Sequence, residues 1–240
     1  MDTLINTDAL TDEIDWKRVR IFLIVGLIAA FAALAGDMIL GWGTSYAAYS
    51  AGLEMLFNKY RNVSTGRAVL SMVIGLVGYT AEGICCYAVY RIIAAGSASQ
   101  AKLFRTGMIG CTALGGAMHA MCCASVYVYT KMYSIEPETA FWECLQFAVF
   151  FLIPVLVLYL VFFGIVVCSQ AWAFYKEMTP YPKWCALFTL ALGIPVLALM
   201  KFLGGNPLFE ALAAGWISIG HIIMFGGLLA MSKKAESGNF

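Results

Sequence analysis

The sequence predicts an all-α polytopic membrane protein, a bundle of six transmembrane helices with both termini in the cytoplasm. Of its 240 residues, 62% are hydrophobic and 12% are charged, whereas soluble domains carry about 25% charged residues. The mean hydropathy of +0.82 agrees with this composition. A water-soluble fold of this length would leave too much of its apolar surface exposed, so the sequence excludes the soluble fold classes.

Six windows are apolar over about the 20 residues that a helix needs to cross a bilayer. They cover residues 21–42, 68–90, 103–129, 145–174, 184–203 and 208–231. Pro154 interrupts the long fourth window, which predicts a kink or a tilt there. We therefore expect the bundle to occupy residues 19–232, between a short polar N-terminal tail at 1–18 and a polar C-terminal tail at 233–240. The N-terminal tail begins with acidic residues, unlike the positive start of a signal peptide.

The distribution of Lys and Arg predicts the orientation of the bundle. Six spans place both termini on one side, and ten Lys and Arg residues fall on that side against five on the other. Because positive residues accumulate in cytoplasmic loops, we expect cytoplasmic termini, an external connection at 43–66 and a location in the cell (plasma) membrane. The net charge of +1 gives no basis for a nucleic-acid partner. The expected partners are the lipid bilayer and a small hydrophobic or amphiphilic ligand.

Five ionisable residues are predicted at membrane depth. They are Asp37, Glu82, His119, Glu210 and His221. Each costs about 2.5–3.5 kcal/mol near the bilayer centre on insertion scales, so each needs a partner or a function. Small residues such as Gly75 and Gly78 recur at helical spacing beside Glu82, which predicts that these helix faces pack inward. We expect the five groups to line one cavity that opens outward, with Glu82 and His119 as an acid–imidazole pair near its inner end.

The ionisable residues divide into candidate catalytic and candidate substrate-binding groups. The catalytic candidates are Asp37 or Glu82 as the acid, His119 as the base or proton shuttle, and His221 as the orienting partner. The substrate-binding candidates are Glu210, Asn206, Ser218, Trp42 and Glu143. Ser218 shares a helix face with Glu210 and His221, because 100° per residue brings these positions into one stripe. Glu210 also has a purely structural explanation, since a carboxylate in the first turn of a helix is stabilised by the helix dipole.

The cysteine pairs raise the question of a metal site. Glu82 precedes Cys85–Cys86 and His119 precedes Cys122–Cys123 by the same three residues. In antiparallel helices, however, placing Glu82 and His119 at one level sends the two cysteine pairs to opposite sides, roughly 9–12 Å apart along the axis. The thiols cannot then close around one ion. We therefore predict no metal site, no cofactor, and packing roles for these cysteines.

Three functions remain open from the sequence. The first is a cofactor-independent membrane enzyme that acts on a lipid, sterol or isoprenoid by general acid–base chemistry, as an isomerase, hydrolase or cyclase. The second is a proton-coupled transporter or carrier that uses the same Asp, Glu and His residues as a relay. The third is a non-catalytic sensor or assembly protein. The sequence shows no nucleotide, phosphate or redox-cofactor motif, which favours proton transfer over phosphoryl or hydride transfer.

Overall fold

A computed structural model describes residues 13–42, 55–204 and 206–238, and it contains helices and no strand over these ranges. Four stretches lie outside the described residues: 1–12 of the predicted N-terminal tail, 43–54 of the predicted connection at 43–66, Gly205, and 239–240. The α-helices are α1 Trp16–Gly41, α2 Met55–Asn58, α3 Thr65–Cys85, α4 Tyr87–Ala94, α5 Ala98–Ile135, α6 Pro137–Phe147, α7 Ile153–Tyr175, α8 Gly193–Leu203, α9 Pro207–Ala214 and α10 Trp216–Ser237. A π-helical turn, Ala148–Leu152, joins α6 to α7, and two 3₁₀ turns, Lys183–Leu187 and Leu190–Leu192, precede α8.

Five helical segments of the described chain are long and apolar enough to cross a membrane. They are Trp16–Gly41, Thr65–Ala94, Ala98–Ile135, Pro137–Tyr175 and Trp216–Ser237. This confirms the predicted all-α polytopic membrane fold. The predicted fifth window, 184–203, differs from a regular span, because its helical part is the shorter Leu190–Leu203.

The segment from Lys183 to Leu203 nevertheless runs back along α10. The ring of Phe188 packs against Gly227, and the carbonyl of Leu190 packs against Gly220, where a Cβ atom would overlap it. At Phe188 and Thr189 the backbone is not helical, and the side chain of Gln170 donates a hydrogen bond to the Phe188 carbonyl at 2.8 Å. Irregular backbone at membrane depth is tolerated when protein groups satisfy it in this way.

An ion pair shows that the chain passes through the bundle an even number of times. Arg20 near the start of α1 lies 2.7 Å from Glu236 near the end of α10. Five crossings would leave these two residues at opposite ends, so Lys183–Leu203 supplies the sixth passage. We call the end that holds Arg20 and Glu236 the basic end, and the other end the distal end.

Helix α1 lies between α3 and α10, and small residues allow the close approach. A Cβ atom at Gly36 would lie 2.8 Å from the backbone nitrogen of Gly75, and one at Gly78 would lie 2.7 Å from that of Ala33. On the α10 side, a Cβ atom at Gly26 would lie 2.8 Å from the ring of Phe225. Backbone contact at this distance brings the polar residues of α1 and α3 into reach of each other. The predicted inward-facing stripe around Gly75 and Gly78 is confirmed.

The predicted sixth window is broken at Gly215. Helix α9 ends at Ala214 and α10 begins at Trp216. A side chain at Gly215 would overlap Leu34 and lie 3.4 Å from the Cβ of Asp37. The break therefore lies directly beside Asp37 on α1, and it sets how α10 approaches the polar residues of the bundle.

Candidate functional site

Asp37 is the most completely hydrogen-bonded carboxylate of the bundle interior. Its Oδ1 atom lies 3.1 Å from Nδ1 of His119 on α5. Its Oδ2 atom accepts hydrogen bonds from the hydroxyl of Tyr79 on α3 and from the hydroxyl of Ser218 on α10, each at 3.0 Å. Acceptance of bonds from three other helices suits the ionised form, since a carboxylate is an acceptor at both oxygens. Asp37 thus joins four helices at one point.

His119 is held between two acceptors. Its Nδ1 atom faces the Asp37 carboxylate, and its Nε2 atom lies 3.0 Å from the backbone carbonyl of Ser71. A carbonyl accepts only, so Nε2 donates to it, and one further proton lies between Nδ1 and Oδ1 of Asp37. The result is a buried carboxyl–imidazole pair joined by a hydrogen bond. Gly75 makes the room for it, because any side chain there would overlap the imidazole.

Glu82 and His221 form a second, much less complete pair. Nδ1 of His221 lies 3.3 Å from Oε2 of Glu82 but is directed at the carbonyl of Ile217 in its own helix, also at 3.3 Å. Short distance without alignment is not a hydrogen bond. Both carboxyl oxygens of Glu82 are therefore buried without a hydrogen-bond partner among the described residues, and the whole residue is 1% exposed. Buried polar groups are normally satisfied, so the carboxyl of Glu82 differs from those of Asp37 and Glu210, which have partners.

A small cavity lies against Glu82. It leaves about 10 Å³ for the centre of a water molecule, which is about the space that one water needs. Its lining residues are Tyr79, Glu82, Gly83, Met108, Cys111, Thr112, Tyr159 and His221. The cavity thus places two phenols, a carboxyl and an imidazole around one water-sized space.

A larger apolar groove adjoins this cavity on the side that faces lipid. The groove has a volume of about 490 Å³, within the usual range of ligand sites. Gly83, Met108 and Thr112 line both the groove and the cavity, so they form the wall between them. Ile84 and Ile109 on its rim are 60% and 64% exposed, which directs the groove toward the bilayer. One layer of residues therefore separates the groove from Glu82.

Residues 1–235 match the model of a family described as a family of unknown function, DUF6796. The chain belongs to the DUF6796 family. No curated protein and no solved structure matches it. The site of this DUF6796 chain therefore has to be interpreted from its own geometry.

The acid–imidazole pairs of the DUF6796 chain differ from the sequence-based expectation. Glu82 was expected beside His119, but the structure pairs His119 with Asp37 and places Glu82 beside His221. The four residues lie in one buried region, and Tyr79 connects its halves, since it bonds to Asp37 and lines the cavity of Glu82. The correct partners follow from the central position of α1, which separates α3 from part of α10.

Two of the residues predicted to bind substrate have structural partners at the distal end. Glu210 forms an ion pair of 2.7 Å with Lys201 on α8. Asn206 caps α9, and its side-chain oxygen accepts a hydrogen bond of 2.9 Å from the Leu208 backbone N–H. Glu210 therefore lies in a cross-link between α8 and α9, and this contact supports its structural explanation. Ser218, by contrast, belongs to the polar cluster through Asp37.

The other two predicted substrate-binding residues lie on the surface of the DUF6796 chain. Trp42 is 50% exposed, and its carbonyl accepts a hydrogen bond from the guanidinium of Arg67. Glu143 is exposed and lines a separate shallow groove with Gln146 and Phe150. Neither residue lines the cavity beside Glu82. Their predicted role in substrate binding stays a prediction.

Four residues of this site were not singled out for it by the sequence. Tyr79, Thr112 and Tyr159 surround the cavity, and Ser71 supports His119 through its carbonyl. Tyr79 carried a usable signal, because it precedes Glu82 by three residues and so shares its helix face. Tyr159 had none, since nothing in its apolar window relates it to α3.

The buried cysteines pack around this site. Cys85, Cys86, Cys111 and Cys123 are buried and free. Cys123 Sγ lies 3.7 Å from Nε2 of His119, within weak hydrogen-bond range. No group of three or more His, Cys, Asp or Glu residues in the described parts of the chain is arranged to hold a metal ion.

Proposed function

We propose that this protein is an integral-membrane enzyme that acts on a lipid, sterol or isoprenoid by general acid–base chemistry at Glu82. The observation that carries the proposal is the unpartnered, buried carboxyl of Glu82 next to a groove open to the bilayer. A general acid or base must reach the reacting atom within hydrogen-bond distance. In the proposal, the substrate enters past Gly83 and Thr112 and reaches the free oxygens of Glu82.

In this proposal Glu82 and His221 exchange protons with the substrate. One of the pair donates a proton to one atom of the substrate, and the other removes a proton from a second atom. Oε2 of Glu82 lies 3.3 Å from Nδ1 of His221, so rotation of the imidazole away from the Ile217 carbonyl aligns the two groups and lets the proton return after product release. One proton is given and one is taken, so the reaction needs no cofactor or co-reactant. This favours an isomerase over a hydrolase or a cyclase.

The remaining polar residues hold the reacting groups in place. Tyr79 and Tyr159 line the cavity, so their hydroxyls orient a substrate oxygen or double bond beside Glu82. The Asp37–His119 pair fixes Tyr79 through a hydrogen bond of 3.0 Å and supplies a constant charge arrangement. In this proposal Asp37 and His119 position the site, whereas Glu82 and His221 carry out the proton transfers. The proposed location is the cell (plasma) membrane with the basic end in the cytoplasm, on the basis of the Lys and Arg distribution.

A proton-coupled carrier is a second candidate, and one observation favours it. The bundle contains irregular backbone at Phe188–Thr189 and a helix break at Gly215, and the latter lies beside Asp37. Carriers bind their substrates at discontinuous helices near the membrane centre. A carrier would move a solute and leave it chemically unchanged.

One comparison of cell lines separates these functions. Lipids and small molecules are profiled in cells and medium for the wild type, Glu82→Gln and Glu138→Gln at equal membrane levels. Glu138 is exposed on α6, so its variant controls for the loss of one carboxylate. A substrate–product pair that changes with the wild type and Glu138→Gln, but not with Glu82→Gln, supports the enzyme.

Other outcomes of the same experiment point elsewhere. A solute that is redistributed between cells and medium without chemical change would favour the carrier. In that case Glu82→Gln should shift the pH dependence of uptake and leave exchange intact. Identical profiles for all three lines would contradict both candidates and leave a sensor or assembly role.

A further inference from the structure

Two arginines and two tyrosines form a basic aromatic row at the mouth of the lipid-facing groove. The guanidinium of Arg18 lies 5.2 Å from the ring centre of Tyr87, and that of Arg105 lies 5.9 Å from the ring centre of Tyr90. The two rings are 6.0 Å apart. Tyr87, Tyr90 and Arg105 all line the groove. The row is thus a continuous part of the groove at the basic end.

Among the described residues, the guanidinium groups of this row have no ion-pair partner, and the nearby Asp15 carboxylate accepts a hydrogen bond from the backbone N–H of Arg18. Arg18, Arg91 and Arg105 form no ion pair with any carboxylate of the described residues, where the ion pairs of arginine and lysine are those of Arg20 and Lys201. A cation–π contact with a tyrosine ring forms no ion pair, so the guanidinium N–H groups can still donate to an anion. Arginine N–H edges match the geometry of phosphate oxygens and bind them in pairs.

The rest of the groove requires an apolar ligand. Beyond Arg105 its lining includes Phe104, Met108, Ile109 and Ala113, and its volume is about 490 Å³. A free phosphate would leave this surface empty, and an uncharged hydrocarbon would leave the arginines without a counter-ion. An amphiphile with one anionic head and an apolar chain satisfies both parts.

We propose that the groove binds an acidic glycerophospholipid, with the phosphate on Arg105 at the basic end and an acyl chain along α5 toward Gly83. Arg18 and Arg91 add positive charge beside the same tyrosines. The inference deepens the proposed function and rests on it for the statement that the bound lipid is the substrate. The binding itself is independent of turnover and is tested separately.

The test measures lipid binding to the purified full-length protein. The wild type, Arg105→Gln and Lys102→Gln are titrated in detergent with dioleoyl phosphatidylglycerol and, separately, with dioleoyl phosphatidylcholine, and bound lipid is counted by native mass spectrometry. Lys102 is an exposed cation on the same helix and is absent from the groove lining, so it is a matched control. We expect the wild type to prefer phosphatidylglycerol, Arg105→Gln to bind it about tenfold more weakly, and Lys102→Gln to bind it normally.

A second pair of variants tests the apolar half of the site. Ala113→Trp fills the groove from its exposed side, whereas Val77→Trp adds the same ring at an exposed position on α3 outside the groove. Loss of phosphatidylglycerol binding in Ala113→Trp alone supports the proposal. Equal binding of both lipids, equal losses in Arg105→Gln and Lys102→Gln, or equal competition by inorganic phosphate would overturn it.

The two proposals can fail separately. Glu82→Gln should bind phosphatidylglycerol like the wild type, because Glu82 lies behind the wall formed by Gly83 and Thr112. If Arg105→Gln binds the lipid normally while Glu82→Gln abolishes turnover, the lipid site is wrong and the acid–base site stands. If lipid binding depends on Arg105 but no product forms in any line, the binding site stands without the enzyme.

Discussion

Nδ1 of His119 lies 3.1 Å from Oδ1 of Asp37, and every polar atom of this carboxylate–imidazole pair has a hydrogen-bond partner. The neighbouring pair, Glu82 and His221, is at a similar distance but leaves both carboxyl oxygens of Glu82 without partners. One bundle thus contains a satisfied pair and an unsatisfied pair. We propose that the first pair stabilises the bundle and that the second carries out the proposed chemistry, and the two roles make opposite predictions for mutations.

Replacement of His119 by Ala should destabilise the protein by about 3–5 kcal/mol, because it leaves the Asp37 carboxylate buried without its counter-ion. The free energy of unfolding in mixed micelles measures this change. Glu138→Gln, at an exposed site, serves as the control and should stay within about 0.5 kcal/mol of the wild type.

Neutralisation of both partners should recover part of that loss. In Asp37→Asn/His119→Gln no charge remains unpaired, so the double variant should lose less free energy of unfolding than the two single variants lose in sum. Strictly additive losses would show that the pair contributes no interaction of its own.

Substitution of Glu82 by Gln should leave the free energy of unfolding equal to or higher than that of the wild type. The described residues give Glu82 no hydrogen bond to lose, and the amide is easier to bury than a carboxylate. The same unfolding assay as for His119→Ala checks this. A loss as large as that of His119→Ala would mean that Glu82 holds the bundle together, and its role in the proposed chemistry would then be withdrawn.

Gly78→Ala should destabilise the α1–α3 contact by about 1–3 kcal/mol. The added Cβ would lie 2.7 Å from a backbone atom of Ala33, which cannot rotate away as a flexible side chain would. Gly164→Ala on α7 is the matched control, because a Cβ there meets nothing within 4 Å. The control should be neutral or more stable by up to about 1 kcal/mol through helix propensity, as measured by thermal unfolding.

Arg67→Met should lower the free energy of unfolding by about 1–3 kcal/mol. The guanidinium of Arg67 donates to the carbonyls of Ile39, Leu40 and Trp42, which the end of α1 leaves without helical partners. Arg67→Lys should recover only part of the loss, because an ammonium cannot match three carbonyls in a fixed plane. Lys131→Met, at an exposed distal position, should change little.

The polar cluster shows where sequence reasoning succeeded. The bundle interior was predicted to hold Asp37, Glu82, His119 and His221 because of the cost of charge in lipid, and the structure buries all four. The inward stripe of small residues on α3 was predicted from its spacing and is also confirmed. Both predictions depend only on a local sequence pattern and on the lipid environment, so they do not require knowledge of which helices are neighbours. The expectation that the four ionisable residues and Glu210 line one outward-opening cavity was wrong, because the cavity beside Glu82 is lined by only Glu82 and His221 of the five.

The partners of the two histidines show where it failed. Axial depth along each helix allowed Glu82 to pair with His119, and nothing in the sequence excluded it. The choice depends on which helices are neighbours, and the small residues of α1 decide it by admitting α3 on one side and α10 on the other. The same limit applies to the small cavity, which α3, α5, α7 and α10 form together, and to the groove, which α3, α4 and α5 form.

The sequence by itself determined that the chain lies in a lipid bilayer, that it is helical and which ionisable residues are buried. The reason is that the bilayer penalises exposed backbone and charge in any fold. The tertiary structure alone decided that Lys183–Leu203 is an irregular passage along α10 and that Asp37, not Glu82, receives His119. These outcomes depend on backbone contacts between residues far apart in the chain, at Gly36 and Gly75 and at Gly220 and Leu190. Such contacts fix rotation and register between helices, which hydropathy and spacing do not encode.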